Sequence, residues 1–106
     1  MKLGVPREIK AQEFRVGMTP AGARELVGAG HSVLIESGAG DAIGLTDDLY
    51  RAAGASVVET AERVFGESDM IVKVKEPQPH ECRQLRPEQL LFTYLHLAAD
   101  PMQAEL

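Results

Sequence analysis

The chain has 106 residues, with 11 Lys and Arg against 16 Asp and Glu and a formal net charge of −5, so a nucleic-acid partner, which needs clustered cations, is not expected. At 44% hydrophobic and 25% charged residues it has the balance of an ordinary globular domain, long enough to bury roughly 65% of its unfolded surface. No apolar stretch approaches the ~20 residues that span a bilayer, and the N-terminus begins directly on Lys2-Leu3-Gly4-Val5 with no signal-peptide segment, so no membrane partner is expected. A single cysteine, Cys82, makes no internal disulfide, and a reducing cytoplasm is the natural setting.

Strand-like and helix-like segments alternate along the chain. Lys2 to Val5 reads as a short strand and Pro6 to Met18 as a polar loop. Thr19-Pro20 opens a helix, because Thr caps free N–H groups and Pro suits the first helical position. Ala23, Leu26 and Val27 keep helical spacing until Gly30 supplies a left-handed stop. Ser32 to Glu36 is β-rich, and Gly38-Ala39-Gly40 opens a loop. Thr46-Asp47-Asp48 then caps a second helix that stops at Gly54. Ser56 to Glu59 reads as a strand, Thr60 to Phe65 as a short helix, and Met70 to Val74 as a buried strand. Pro77 to Pro87 is a Pro-punctuated connection with room for one helical turn, followed by a fifth strand, Leu90 to Tyr94. Asp100-Pro101 is a helix opening with only Met102 to Leu106 after it, barely one turn. The expectation is a first part of a longer protein, cut inside an element.

An internal echo supports the alternation. Ala29-Gly30-His31-Ser32-Val33-Leu34-Ile35-Glu36 resembles Ala53-Gly54-Ala55-Ser56-Val57-Val58-Glu59, each reading as helix, glycine stop, strand. Strands that alternate with helices form a mainly parallel sheet covered on both faces. With right-handed crossovers, the expected fold is an α/β, three-layer Rossmann-like domain with a five-stranded sheet ordered 3-2-1-4-5. Ligands in such sheets sit beyond the carboxyl ends of the strands, at the point where the order reverses. Here that point falls between strands 1 and 4, beside Arg15 and Lys75.

Three basic residues follow three candidate strands: Arg15, Lys75 and His96. Together they make a socket for a small carboxylate. Arg15 is either a solvated loop residue or a bidentate carboxylate clamp, for which the planar guanidinium suits better than an ammonium. Lys75 is either the polar end of a buried strand or a second cation of that socket, while Lys73, two residues back, reads as structural. His96 is either a satisfied, partly buried imidazole or an acid–base group working near neutral pH.

Other features carry less. Cys82 sits in a Glu-rich connection without a nearby His, and His31 and His80 lack metal-ligand spacing, so no metal is expected. Gly38-Ala39-Gly40 with Gly44 gives G-x-G-x-x-x-G and opens no helix at the offset a dinucleotide fingerprint requires. It is read as a loop, and no cofactor-binding residue is assigned in this segment.

Several runs together resemble the alanine dehydrogenase family: Gly4-Val5-Pro6-Arg7-Glu8-Ile9-Lys10, Glu13-Phe14-Arg15-Val16, Thr19-Pro20-Ala21-Gly22, Gly30-His31-Ser32-Val33, Ser37-Gly38-Ala39-Gly40, Lys73-Val74-Lys75-Glu76-Pro77 and Phe92 to Pro101. The resemblance covers essentially the whole chain, in order. It implies that Arg15 holds the substrate carboxylate, that Lys75 contacts substrate oxygens, and that His96 is the proton donor and acceptor. The implied reaction of the intact parent is the reversible, NAD-dependent oxidative deamination of L-alanine to pyruvate and ammonia, by a cytoplasmic homo-oligomer. Residues 1–106 are then the N-terminal part of the catalytic domain. The NAD-binding Rossmann domain is expected downstream, absent from this chain, so the segment alone is expected to be inactive. Gly17-Met18 departs from the family, where bulkier or Ala-like residues are commoner, and is expected to loosen the loop after Arg15. Two other readings stand beside this one. The first is the soluble alpha subunit of a nicotinamide nucleotide transhydrogenase, whose members usually lack the Lys–His pair. The second is a non-catalytic module that binds a small anion. Saccharopine dehydrogenase is a further relative that fits Phe92 to Pro101 less well.

Overall fold

The computed structural model describes residues 1–9 and 13–93. Strands β1 (Lys2–Val5), β2 (Ser32–Glu36), β3 (Ser56–Val58), β4 (Met70–Lys73) and β5 (Leu90–Thr93) form one sheet in the order β3-β2-β1-β4-β5. Every pairing is parallel. This is the order expected from right-handed crossovers, and it seats the first strand at the centre. Helices α1 (Pro20–Gly28), α2 (Asp47–Ala52), α3 (Ala61–Glu67) and α4 (Pro79–Cys82) fill the connections, with a 3-10 turn at Asp41–Ile43 that the sequence does not announce.

The period-2 alternation of the strands divides the core in two. Leu3, Val5, Val33, Ile35 and Val72 pack with Ala23 of α1 and Tyr50 of α2. Leu34, Val58 and Ile71 turn the other way and meet Val64 and Phe65 of α3. Helices therefore lie on both faces of the sheet, and the central strands are apolar on both sides.

Local signals account for most helix ends. The Thr19 hydroxyl accepts the Gly22 N–H at 3.1 Å at the start of α1, and the Thr60 hydroxyl accepts that of Arg63 at 3.3 Å at the start of α3. Gly30 and Gly54, just past α1 and α2, sit at φ of 96° and 98°, the left-handed stop that both halves of the internal echo share. Thr46 behaves differently from expectation, since its side chain makes no capping bond. The first-turn acid Asp47 instead accepts the Gly38 N–H at 2.9 Å and the Ser37 hydroxyl at 2.6 Å. These bonds, the backbone N–H first, hold its carboxyl below the usual range and close the glycine loop.

A candidate carboxylate site at the sheet's carboxyl edge

Because β1 and β4 are parallel neighbours, with Leu3 opposite Met70 and Gly4 opposite Ile71, the loops that leave them emerge at one edge. One side chain ties those loops together. The Glu8 carboxylate, past the end of β1, accepts the Val74 N–H at 3.0 Å, the Lys75 N–H at 3.2 Å and the Lys73 ammonium at 3.1 Å. Lys73 also lies 3.0 Å from Glu81 of α4, whose other oxygen accepts the Gln78 N–H at 2.9 Å. All three charged side chains are buried. Charges are tolerated out of water only when paired and hydrogen-bonded, and here each is. Lys73 is thus structural, as the sequence suggests, and its network fixes the backbone just beyond it, at Val74 and Lys75.

Arg15 and Lys75 come together, and the group that joins them is Glu13. The Glu13 carboxylate takes Arg15 through two parallel bonds, Nε to Oε2 and Nη2 to Oε1, each 3.0 Å long, and accepts the Arg15 backbone N–H at 2.8 Å. The Lys75 ammonium is 4.0 Å from the same Oε1. These charge-assisted bonds, those from the Arg15 side chain first, hold the Glu13 carboxyl below its ordinary range. The same carboxylate raises the Arg15 pKa. Arg15 itself stays largely in solvent, with 65% of its side chain exposed, and Lys75 is partly exposed. Two cations therefore converge on one carboxylate while keeping surface open to solvent.

The loop beyond Arg15 is held tight rather than loosened. Val16, Gly17 and Met18 are all buried. A Cβ on Gly17 would lie 2.6 Å from the Val72 carbonyl oxygen, so the missing side chain lets the loop rest directly on β4. The Tyr50 hydroxyl, from α2, donates to the Met18 carbonyl at 2.6 Å. The expectation of a loose Gly17-Met18 segment is corrected on both counts. Arg15 stands where two cavities meet: one of about 840 Å³, walled by apolar residues that include Leu3, Val16, Met18, Val72 and Phe92, and one of about 350 Å³ that includes Glu8, Glu13, Gly38 and Ala39.

Comparison with known proteins settles the family. The domain family described as "Alanine dehydrogenase/PNT, N-terminal domain" matches residues 4–106. The chain belongs to this family. The alanine dehydrogenase of Mycobacterium tuberculosis strain H37Rv is 52% identical over 99 residues, covering 93% of this chain and 27% of that protein. The alanine dehydrogenase of Bacillus subtilis is 46% identical over 105 residues, covering 99% of this chain and 28% of that protein. A solved L-alanine dehydrogenase superposes with a TM-score of 0.87 at 52% identity, over 99% of this chain and 29% of that one. A transhydrogenase from Sinorhizobium meliloti superposes at 0.85 over 95% of this chain and 29% of that one. At 24% identity, it shows the shared fold alone. The chain spans just over a quarter of the length of these relatives.

Within this alanine dehydrogenase/PNT N-terminal domain, the structure reaches two of the three residues named from sequence. His96 lies outside the described residues; β5 ends at Thr93, in register with Lys73. Glu8, Glu13 and Tyr50 were not singled out by sequence reasoning. The run Glu13-Phe14-Arg15 held a usable signal, since residues two apart in an extended segment project to one side. In the Gly38 to Gly40 loop, the Gly38 N–H is bonded to the Asp47 carboxylate. Among the described residues, no group of three His, Cys, Asp or Glu side chains could hold a metal ion, and no helix is long and apolar enough to cross a membrane.

Proposed function

We propose that the intact parent of this chain is an NAD-dependent alanine dehydrogenase, interconverting L-alanine with pyruvate and ammonia, and that residues 1–106 form the first part of its substrate domain. The observation that carries this reading is the convergence of Arg15 and Lys75 on one carboxylate, Glu13, within a chain about half identical to alanine dehydrogenases. Arg15 offers a planar fork for the substrate carboxylate, which fixes the substrate's orientation. Lys75 places a cation beside the substrate's reacting oxygen, where charge develops. His96 gives and takes the proton as ammonia or water is exchanged at the substrate carbon. The nicotinamide supplies the redox chemistry, and its nucleotide is held by the portion of the parent outside this chain. A cytoplasmic homo-oligomer fits this reading, with a single cysteine and no expected disulfide.

The test is a reaction mixture of the purified parent with pyruvate, ammonium and NADH. NADH consumption that requires both pyruvate and ammonium, with alanine as product, is the expected result. Hydride exchange between NADH and an NADP analogue that ignores pyruvate would instead establish the transhydrogenase reading.

A further inference from the structure

We propose that Glu13 is the positioning residue of the carboxylate site: it grips Arg15 by its Nε/Nη2 edge and holds Lys75 beside it, leaving Nη1 and the second Nη2 N–H, at the end of the guanidinium, for an incoming monocarboxylate. This rests on the reading that Arg15 receives the substrate carboxylate. Glu13 is built into the protein rather than placed over the site, since only 4% of its side chain is exposed against 65% for Arg15. Its bonds take Nε, Nη2 and the backbone N–H of Arg15, which fixes both the side chain and the chain carrying it. Neither side-chain bond to Glu13 uses Nη1. Two like charges near each other repel, and the Lys75 ammonium, 4.0 Å from the shared Oε1, gains from the same anion.

A bound carboxylate and Glu13 also repel, so the sign needs deciding. Arg15 is mostly in solvent, where screening weakens that repulsion. Without Glu13, the substrate alone would have to order two long, flexible side chains, and that entropy is the larger effect. Removing the grip therefore weakens substrate binding.

The experiment is steady-state kinetics of pyruvate amination by the intact parent carrying Glu13→Gln, which keeps the size but removes the charge and sets an amide N–H against Arg15. The expected result is an apparent KM for pyruvate raised about tenfold or more, with the KM for NADH unchanged in the folded variant. Glu13→Asp, which keeps the charge but withdraws the carboxylate by one methylene, raises the pyruvate KM by less. An unchanged pyruvate KM in folded Glu13→Gln overturns the proposal, and a lowered one does so by showing a competing internal anion. Should Glu13→Gln not fold, a wild-type pyruvate KM in Glu13→Asp overturns it equally. Arg15→Ala separates the two levels of inference. If that variant also keeps a normal pyruvate KM, the carboxylate reading of Arg15 itself fails, and not merely the role of Glu13.

Discussion

The Glu8 carboxylate and the Lys73 ammonium lie 3.1 Å apart with about 1% of each side chain exposed, and this buried pair joins the exit of β1 to the end of β4. Glu81 completes the group from α4, 3.0 Å from the same ammonium. Burying a pair of charges contributes little net stability, but removing one partner leaves the others uncompensated. Lys73→Met, which leaves two buried carboxylates facing each other, should cost about 3–5 kcal/mol. Urea unfolding of the parent checks this, and a loss below about 1 kcal/mol would mean that water or relaxation relieves the carboxylates.

Gly4 sits mid-way along the central strand, under α3. A Cβ there would lie 2.8 Å from Val64 Cγ1 and closer still to Ser68 Oγ. Gly4→Ala should therefore destabilise by about 1–3 kcal/mol, the usual effect of overpacking. Gly28, the last residue of α1, has nothing within 4 Å of its own added Cβ. Gly28→Ala should be neutral or slightly stabilising, through lower backbone entropy of the unfolded chain. Equal effects of the two substitutions on the unfolding midpoint would contradict the close approach of α3 to β1.

Tyr50 is fully buried, and burial pushes the pKa of its hydroxyl up to about 12 from the ordinary value of 10.0. The folded protein thus favours the neutral phenol more than the unfolded chain does. Its contribution is complete below about pH 10 and is lost as pH rises through about 12. Tyr50→Phe leaves the Met18 carbonyl without its donor and should cost about 1–3 kcal/mol at neutral pH. The penalty should shrink as pH climbs through that alkaline window. A penalty independent of pH would show that the hydroxyl does not ionise on unfolding.

Sheet order was readable in advance because it follows from two general constraints, alternation and crossover handedness, acting on five well-separated apolar runs. The glycine stops at Gly30 and Gly54 were equally readable, since a positive φ leaves few other residues to choose. Hidden from sequence was the use of acidic residues. Glu8 and Glu13 stand in what reads as a polar loop, yet both side chains are almost wholly out of solvent and bond Lys73 of β4 and Arg15, respectively. Those partners are remote in sequence for Glu8, which bonds residues more than sixty positions away. Asp47 shows the same limit on a smaller scale. Its place in a first helical turn was legible, but its bonds to Ser37 and Gly38 required the fold to bring that loop alongside.

The three proposed substrate residues should separate by kinetics in the intact parent. His96→Ala should mainly lower kcat, by about 10²–10⁴-fold, because positioned proton transfer is needed only while bonds change. Arg15→Lys keeps the charge and loses the planar fork that Glu13 grips, so it should chiefly raise the KM for pyruvate and alanine. Lys75→Ala should harm both parameters, since its charge serves the bound substrate and the developing oxygen alike. It should do so without unfolding the protein, because the Glu8 bond at this position is to the Lys75 backbone and survives the substitution. In all three variants the affinity for NADH should stay near that of the wild type, as the nucleotide is assigned to residues outside this chain. Near-normal turnover in a folded His96→Ala variant would remove the proton-transfer assignment and leave Arg15 and Lys75 as a carboxylate-binding pair.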